Sequence, residues 1–431
     1  MRGPLMLLSI TGLFACGTDE GGTGLGDSGK TDSATTDTGT TDSLPTGGDP
    51  NCLSVPEGVD LEMENAGFLY TRNAEDPVVF DLCIGLTSES IAALDAAPTE
   101  YAQGTLGFGG ESWTVGVRLK GSPEGSFRTL EEKASFKIKM HEYDPEERFY
   151  GRKRLTLNSM IQDGSMVSEH GAYYLFEGAG LPAPMHGYSR VFVNGELFGL
   201  YGVVETMDEE FLERAFPGEA DGNLYEGGYG ADLYSHRQDN FAVQETIGDV
   251  EDRSDLIALI EAVEQAAEDG TTFTMLDTWF ERDALLTLWA AELVLSNQDG
   301  YTTAGNNYML YHPAVDALWV MTPWGPDQCF WRWEDSVAVE IHAELGGRIA
   351  ADCRNDAECS AALDAKVADV LGVWESIDLS DYVDRTTYGI EAACREDPRS
   401  SWGDYGCAGA QEETRAWVAA RPAIVRAELG L

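Results

Sequence analysis

Residues 133–140 read Lys-Ala-Ser-Phe-Lys-Ile-Lys-Met, and the pattern of side chains in this stretch decides the fold prediction. From position 135 onward, polar side chains at odd positions alternate with apolar side chains at even positions. This alternation is the two-residue period of a half-buried β-strand. Lys137 and Lys139 therefore share the polar face of the predicted strand.

Positive charge is concentrated around this strand. Ten of the 28 basic residues lie between Arg118 and Arg154, whereas the whole 431-residue chain has 75 acidic residues and a formal net charge of -47. The overall charge repels polyanions, so DNA and RNA are not expected as partners. The basic segment predicts a bound anion, and a solvated strand face paired with neighbouring glutamates is the alternative.

The sequence around the basic segment predicts a β-rich first half. Residues 112–120 alternate as a strand that ends at Gly121, and residues 166–180 form a predicted helix that ends at a glycine before Leu-Pro-Ala-Pro. Residues 188–193 and 197–204 are predicted strands, and Asn194-Gly195 between them indicates a two-residue hairpin turn.

The helical period dominates after Glu205. Residues 255–269 and 277–296 are predicted helices, residues 308–311 and 318–321 are predicted short strands, and residues 343–431 are expected to be mainly helical. The order of these elements predicts the α+β class. It is the layout of a two-lobed, kinase-like fold with an antiparallel, β-rich N-lobe over about 52–205 and a mainly helical C-lobe over about 206–431.

Several sequence blocks carry a family resemblance. They are Val-Arg-Leu-Lys-Gly at 117–121, Lys-Ala-Ser-Phe-Lys-Ile-Lys at 133–139, Leu-Thr-Leu-Asn-Ser-Met at 155–160 with Asp163, Gly-Leu-Pro-Ala-Pro at 180–184, Arg-Val-Phe-Val-Asn-Gly-Glu at 190–196, Gly-Leu-Tyr at 199–201, Val-Glu at 204–205 and Gly-Asn-Leu-Tyr at 222–225. In this order, over roughly half of the chain, the blocks resemble the CotH family of secreted, atypical protein kinases. The resemblance implies transfer of phosphate from ATP to Ser or Thr of an extracytoplasmic or surface protein, with Mg²⁺ or Mn²⁺ as the metal cofactor.

The resemblance also implies roles for residues of the N-lobe. Phosphoryl transfer requires a lysine on the phosphates, metal ligands, and a carboxylate that orients the attacking hydroxyl. Lys137 and Lys139 are the candidates for the phosphate lysine, with Lys133 third. Glu169, on the helix that follows, is the candidate partner of one of these lysines, and an ordinary surface glutamate is the alternative interpretation.

The candidates in the C-lobe follow the predicted helix at 277–296. Asp299 is expected to act as the base or hydroxyl-orienting group, and Asn307 as a metal ligand. The family commonly has an acidic residue where this chain has Gly325, so Asp327 is the remaining candidate metal carboxylate. Either Asp327 binds the metal from a shifted backbone, or the domain is degenerate. A non-catalytic binding module on the cell surface and nucleotidyl transfer at the same site are the two alternative functions.

The N-terminus is predicted to be a targeting segment. Residues 4–15 form an apolar run of about 12 residues, shorter than the roughly 20 needed to span a bilayer. The run ends in Ala15-Cys16, which resembles the lipobox of bacterial lipoproteins. We expect a signal peptide at 1–16, a lipid anchor on Cys16, a disordered Gly/Thr/Ser/Asp linker at 17–51, and an exported domain at 52–431 on the periplasmic or cell-surface side of a bacterial membrane. An ordinary signal peptide with a chance cysteine is the alternative.

The other seven cysteines predict three disulfides and one free thiol. The favoured pairs are Cys52 with Cys83, Cys353 with Cys359, and Cys394 with Cys407, which leaves Cys329 as a buried thiol. Zinc is not expected, because the chain has no CxxC motif and its six histidines lack ligand spacing.

The lipid anchor leads to a direct test. The Cys16→Ser variant is expected to be exported but released from membranes, because it lacks the thiol that carries the acyl chains. Fractionation of cells expressing the two forms measures this, and a variant that still sediments with membranes would show that the anchor lies elsewhere.

Overall fold

The computed structural model describes residues 49–70, 77–123, 125–315, 318–330, 339–400 and 406–431. The predicted signal peptide, Cys16 and the linker as far as residue 48 lie outside the described residues. None of the helices in the described ranges combines the length and the apolar character needed to cross a bilayer.

The structure is a mixed α and β fold in which most strands precede residue 205. The strands are β1 Val79–Leu86, β2 Ala102–Phe108, β3 Glu111–Lys120, β4 Ser135–Lys139, β5 Arg154–Asn158, β6 His186–Val193, β7 Glu196–Val204, β8 Gly222–Gly227, β9 Ala242–Glu245, β10 Tyr308–Pro313 and β11 Val320–Pro323. The predicted strands at 112–120, 188–193 and 197–204 are confirmed to within two residues at each end, and the alternation at 135–140 is strand β4.

The first seven strands form a closed sheet in the order β1-β2-β3-β4-β5-β7-β6. Closure depends on β1 and β6, which run parallel with Val79 opposite Tyr188, so the expectation of a purely antiparallel layer is wrong at this seam. The predicted hairpin between β6 and β7 is present, with positive φ angles of 50° at Asn194 and 82° at Gly195. The Asn194 side chain also donates to the carbonyl of Leu86 at 2.9 Å, which fixes the hairpin to the end of β1.

Helices dominate the second half of the chain. They are α1 Ser88–Ala96, α2 Ser168–Gly178, α3 Glu209–Ala215, α4 Ser254–Asp269, α5 Thr272–Trp279, α6 Arg282–Leu295, α7 Tyr301–Ala304, α8 Arg348–Asn355, α9 Ala357–Ser376, α10 Leu379–Arg395 and α11 Gly406–Leu429. Short 3₁₀ helices occupy Pro50–Cys52, Glu64–Tyr70, Met140–Glu142 and Ser235–Asn240.

The prediction of one helix over 277–296 is wrong, because the chain breaks between α5 and α6. Phe280 is extended, with φ −126° and ψ 155°, and it forms a parallel β-bridge with Trp319. The Glu281 N–H donates to the Trp319 carbonyl, and the Trp319 N–H donates to the Trp279 carbonyl. The bridge therefore replaces helical hydrogen bonds at this point. It also joins α6 to β11 of a second sheet, whose strand order is β11-β10-β8-β9.

The predicted cysteine pairing is confirmed for the described residues. Disulfides join Cys52 to Cys83, Cys353 to Cys359, and Cys394 to Cys407, and Cys329 is a buried free thiol. Three disulfides are typical of a protein that matures in an oxidising compartment, as exported proteins do.

A buried ion pair joins the segment after α10 to the closed sheet. Lys133 Nζ lies 2.6 Å from Asp397 Oδ2, and both side chains are buried. Lys133 also donates to the carbonyl of Leu200 on β7, while Asp397 accepts from the Leu200 N–H at 3.0 Å. The Asp397 carboxylate can come this close to β7 because position 199 is a glycine. Any Cβ at that position would lie 2.3 Å from the carboxylate. The pair therefore links three segments that are far apart in the sequence.

Removal of one partner from this pair should leave a buried charge without compensation. Asp397→Asn is expected to lower the free energy of unfolding by roughly 3–5 kcal/mol. Asp381→Asn is the control, because its partner Arg385 is on the surface, and such pairs contribute less than about 1 kcal/mol. Urea unfolding of both variants and of the wild type measures the two losses of stability. If Asp397→Asn lost no more stability than Asp381→Asn, the assigned role of the buried pair would be contradicted.

Candidate functional site

A cleft of about 490 Å³ lies where the closed sheet faces the segments that flank β10 and β11. One wall contains residues 118–122, 125 and 126, at the end of β3 and in the loop that follows it. The opposite wall contains Asp299, Asn306, Asn307 and residues 324, 325, 327 and 328. Five of the seven residues singled out from the sequence line this cleft: Lys137, Glu169, Asp299, Asn307 and Asp327.

The cationic wall is produced by the register of neighbouring strands. Arg118 on β3 is directly opposite Lys137 on β4, and Lys137 is opposite Thr156 on β5. Lys120 lies two residues beyond Arg118 and so projects from the same face of β3. Arg118, Lys120, Lys137 and Thr156 all line the cleft, so three positive charges converge on one side of it.

Lys137 is the lysine with the most perturbed environment in this wall. Burial lowers the pKa of its ammonium to about 8, and the neighbouring charge of Arg118 acts in the same direction. An ammonium that is partly desolvated beside a guanidinium is destabilised unless an anion is present. The site is therefore suited to a ligand with several negative charges.

The other two lysine candidates are not in the cleft lining. Lys139 Nζ lies 2.6 Å from Glu142 Oε2. Lys139 is two residues farther along β4 from the loop at 121–126 than Lys137 is. Lys133 is the buried partner of Asp397. Lys120, which sequence reasoning placed in the basic segment without a role, lines the cleft, with its ammonium 5.7 Å from the centre of the Trp324 ring.

Glu169 is a buried residue in the first turn of α2, not a surface glutamate. Its Oε2 accepts a hydrogen bond from Asn158 Nδ2 at 2.8 Å and lies 3.6 Å from His186 Nε2. Burial alone would raise the pKa of this carboxyl, but the nearby His186, the positive charge of Lys120 and the hydrogen bond from Asn158 together lower it. Glu169 is therefore held as a carboxylate at the base of the cleft.

Asp299 lies in the loop between α6 and α7, where amide side chains surround it. It accepts hydrogen bonds from Asn306 at 3.0 Å, Asn307 at 2.9 Å and Gln328 at 3.3 Å. Burial raises its pKa, although the hydrogen bonds from the two asparagines oppose the rise. A carboxylate with a raised pKa that is fixed by neutral amides is well suited to accept a proton or to orient a hydroxyl.

Glu292, which sequence reasoning missed, holds the Asp299 loop in place. Its buried carboxyl accepts the backbone N–H groups of Tyr301 at 3.1 Å and Thr302 at 2.8 Å. Burial raises the pKa of Glu292 to about 7, and these hydrogen bonds act against the rise. Its sequence signal is weak, because a glutamate in an apolar helix is not marked as buried until its packing is known.

Asp327 is the carboxylate that a cation would stabilise most. Its pKa is raised well above the usual range, first by burial and then by the nearby charges of Glu169, Asp163 and Asp299. Asp327 and Asn307 both line the cleft, and their oxygens are the ligands that Mg²⁺ and Mn²⁺ prefer. The buried Asn306 Oδ1 also lacks a hydrogen-bond partner among the described residues. These groups fit a divalent cation, although no cluster of three or more His, Cys, Asp or Glu side chains is arranged as a metal site in the described ranges.

Gly325 is the residue at which the resemblance leads us to expect an acidic side chain instead. Its φ is 52°, and its N–H donates to the Tyr173 hydroxyl at 3.1 Å. A Cβ built here would lie 3.5 Å from Asn307 Cγ, which is an ordinary van der Waals distance. A Cβ at position 325 therefore has room beside Asn307, although the positive φ would strain any residue other than glycine there.

Comparison with known proteins identifies a family for this chain. A model of the family described as CotH kinase protein matches residues 117–425, which is more than half of the chain. No curated protein matches significantly. The chain is similar to the crystal structure of the Helicobacter pylori proinflammatory kinase CtkA, with 10% identity, 72% of this chain and 96% of that chain covered, and a TM-score of 0.33. It is also similar to the Shewanella oneidensis MR-1 toxin–antitoxin complex of HipA, HipB and operator DNA, with 14% identity, 84% and 76% of the two chains covered, and a TM-score of 0.33.

The environment of Lys137 predicts a cost in stability when no ligand is bound. Lys137→Met should stabilise the ligand-free protein at pH 7, because it removes a partly buried charge beside Arg118. Between the folded-state pKa of about 8 and the unfolded value of about 10.4, only the unfolded wild type keeps the proton. Wild-type stability therefore rises with pH in this interval, and the advantage of the variant shrinks.

Urea unfolding at pH 7 and at pH 9 measures this effect. Lys139→Met is the matched control, because Lys139 belongs to the same strand face but pairs with Glu142 outside the cleft. The assigned environment of Lys137 would be contradicted if Lys137→Met did not stabilise the protein at pH 7. It would also be contradicted if the variant exceeded the wild type in stability by more at pH 9 than at pH 7.

Proposed function

The chain belongs to the CotH kinase protein family, and from that premise we propose that it transfers the γ-phosphate of ATP to serine or threonine hydroxyls of an extracytoplasmic or surface protein. One observation carries the proposal. A single cleft brings three cationic side chains from β3 and β4 to face Asp299, Asn307 and Asp327. Phosphoryl transfer needs these two kinds of group on opposite sides of the reacting phosphate.

The cationic wall is the proposed binding surface for the phosphates. Lys137 and Lys120 contribute ammonium groups and Arg118 a guanidinium, and phosphate oxygens satisfy donors of both kinds. Glu169 lies behind them and attracts Lys120. Lys139, the second lysine candidate from the sequence, has no proposed contact with nucleotide, because its ammonium pairs with Glu142.

Asp299 is the proposed catalytic residue. In this role its carboxylate accepts a hydrogen bond from the hydroxyl of the acceptor and holds that oxygen in line with the γ-phosphorus. As the new O–P bond forms, the bond from the γ-phosphorus to the bridging oxygen breaks, ADP leaves, and the hydroxyl proton moves toward Oδ1 or Oδ2. The hydrogen bonds from Asn306 and Asn307 fix the orientation of the carboxylate before the acceptor arrives.

Asp327 and Asn307 are the proposed ligands of Mg²⁺ or Mn²⁺. When bound, such a cation neutralises charge on the phosphate oxygens. Without it, Asp327 is a destabilised carboxylate near Glu169 and Asp163. Metal binding and nucleotide binding are therefore expected to depend on each other.

The arrangement of the domain and its location are also part of the proposal. The closed sheet corresponds to the N-lobe of a two-lobed kinase-like fold, and the helices after residue 205 correspond to the C-lobe. The three disulfides support maturation in an oxidising compartment, and acylated Cys16 is the proposed link to the membrane.

A non-catalytic, nucleotide-binding surface module is the second candidate function. The observation that favours it is Gly325, because the site has one carboxylate fewer than the family pattern. The backbone at Gly325 leaves room for that carboxylate beside Asn307. If the protein is a weakened kinase, Gly325→Asp should increase turnover. If the natural protein binds ATP without turning it over, and Gly325→Asp gains no turnover, the non-catalytic module is favoured.

Labelled ATP tests the proposed reaction directly. Purified protein incubated with Mg²⁺ or Mn²⁺ should transfer the γ-label to protein, and Asp299→Asn should lower the rate by about 100-fold or more because the hydroxyl loses its orienting carboxylate. Nucleotide binding should be retained in that variant. Asp269→Asn, an exposed residue at the end of α4, is the control. Transfer of the α-label would indicate nucleotidyl transfer instead, and no transfer of either label would refute the kinase proposal.

A further inference from the structure

Glu226 is a carboxylate of the cleft to which the proposed reaction gives no role. It lies on β8, is half-buried and lines the cleft. The next residue, Gly227, is opposite Tyr308 of β10, and a Cβ at position 227 would lie 2.2 Å from the Tyr308 ring. Because successive residues of a strand project from opposite faces, Glu226 points away from that ring. The packing of β8 on Tyr308 therefore directs the Glu226 side chain toward the cleft.

Glu226 and Lys137 face each other without forming an ion pair. Burial lowers the pKa of Lys137, and the negative charge of Glu226 opposes that change, so the two groups are near one another. In the described part of the chain, neither side chain has an ion-pair partner. Gln244 Nε2 donates to Glu226 Oε2 at 2.6 Å, and Oε1 accepts no hydrogen bond from a described residue. A ligand group can therefore lie between an ammonium that donates and a carboxylate oxygen that accepts.

Glu226 lies where the cleft meets a second, smaller cavity. That cavity has a volume of about 140 Å³ and shares Arg118 and Lys137 with the cleft. Gln244, the hydrogen-bond partner of Glu226, lines the second cavity, whereas Asp299 lines only the cleft. A nucleotide whose γ-phosphate lies at Asp299 and whose chain of phosphates follows the cationic wall thus has its nucleoside end near Glu226 and Gln244.

The hydrogen-bonding capacity of each part of the nucleotide decides which part meets Glu226. Phosphate oxygens only accept hydrogen bonds, as an ionised carboxylate does, so they are repelled by Glu226. The two ribose hydroxyls can each donate to a carboxylate oxygen and also accept from the Lys137 ammonium. The amino group of adenine is a donor too, but it accepts nothing from Lys137 and is separated from the phosphates by the sugar. The ribose is therefore the part that satisfies both residues.

We propose that Glu226 is a specificity-determining residue: its carboxylate binds the ribose hydroxyls of the nucleotide, so that the site selects ribonucleotides over deoxyribonucleotides and over inorganic triphosphate. This inference rests on the proposed function, because it requires the phosphates of a nucleotide to occupy the cationic wall. Glu226 then has two effects of opposite sign. It attracts the ribose and repels the phosphates, so a polyphosphate without a ribose is disfavoured.

Calorimetry with the wild-type protein provides the first test. The ligands are the Mg²⁺ complexes of ATP, 2′-deoxy-ATP, 3′-deoxy-ATP and inorganic triphosphate. A hydrogen bond to a charged group changes affinity by about tenfold or more, so at least one deoxynucleotide should bind about tenfold more weakly than ATP. Equal affinities for ATP and both deoxynucleotides would overturn the ribose assignment and leave the phosphate site intact.

Glu226→Gln provides the second test, because it removes the charge but keeps the size of the side chain and an oxygen that can accept from Gln244. The preference for ATP over the weaker deoxynucleotide should fall to about threefold or less, since a neutral acceptor forms a weaker hydrogen bond. Inorganic triphosphate should bind more tightly, because the repulsion from Glu226 is gone. Glu251→Gln is the matched control, since Glu251 is an exposed glutamate in the loop after β9, and it should change none of the four affinities.

The outcomes separate this inference from the proposed function. If the wild type bound neither ATP nor triphosphate, the phosphate site and the ribose assignment would both be refuted. Binding of ATP with the expected selectivity, but without transfer of its label, would refute the kinase reaction and support the ribose assignment. If Glu226→Gln weakened the binding of all four ligands by the same factor, Glu226 would only support the local structure, and the inference would be overturned.

Discussion

The register between β3 and β4 is the constraint on which the site depends. It sets Arg118 opposite Lys137 and leaves Lys120 on the same face, next to the loop at 121–126. Because side chains alternate between the two faces of a strand, a shift by one residue would turn Lys137 into the core and expose Phe136. Burial of Phe136 and Ile138 inside the closed sheet prevents that shift. The apolar core thus fixes the position of the cationic wall.

This arrangement places like charges close together, which stability alone does not favour. Burial and Arg118 lower the pKa of Lys137, while burial and Glu169 raise the pKa of Asp327 on the other wall. Elsewhere the protein pairs its buried charges directly, as with Lys133 and Asp397. The cleft differs because its cations and its carboxylates lie on opposite walls. A polyanionic ligand with a divalent cation would neutralise both walls together, since the phosphates meet the cations and the metal meets the carboxylates.

Local sequence patterns predicted those parts of the fold that depend on neighbouring residues. The alternation at 135–140 and the Asn194-Gly195 turn are present in the structure, because both reflect backbone preferences within a few residues. The break between α5 and α6 was missed, since it depends on a β-bridge between Phe280 and Trp319, about 40 residues apart. The closing strand β1 and its parallel pairing with β6 were missed for the same reason.

The candidate site shows the same division between local and distant information. The sequence indicated that one face of β4 is cationic, but it did not distinguish Lys137 from Lys139, because that choice depends on where β3 ends and its loop begins. The role of Lys120 depends on the opposite wall and therefore on tertiary structure. The buried contacts of His170 with His186 and with Tyr382 have no sequence signature, since the two histidines lie on α2 and β6 and the tyrosine on α10.

Gly325 stands where the resemblance to the family implies an acidic residue. The backbone at this position has a φ of 52°, a conformation that aspartate and asparagine adopt more readily than other residues with a Cβ. The Gly325 carbonyl faces Asn307 Nδ2 at 3.4 Å, and its N–H is fixed by Tyr173. Both contacts involve the backbone and do not require a glycine. These backbone contacts therefore do not depend on a side chain at position 325, and what the resemblance implies is missing here is one negative charge beside Asn307.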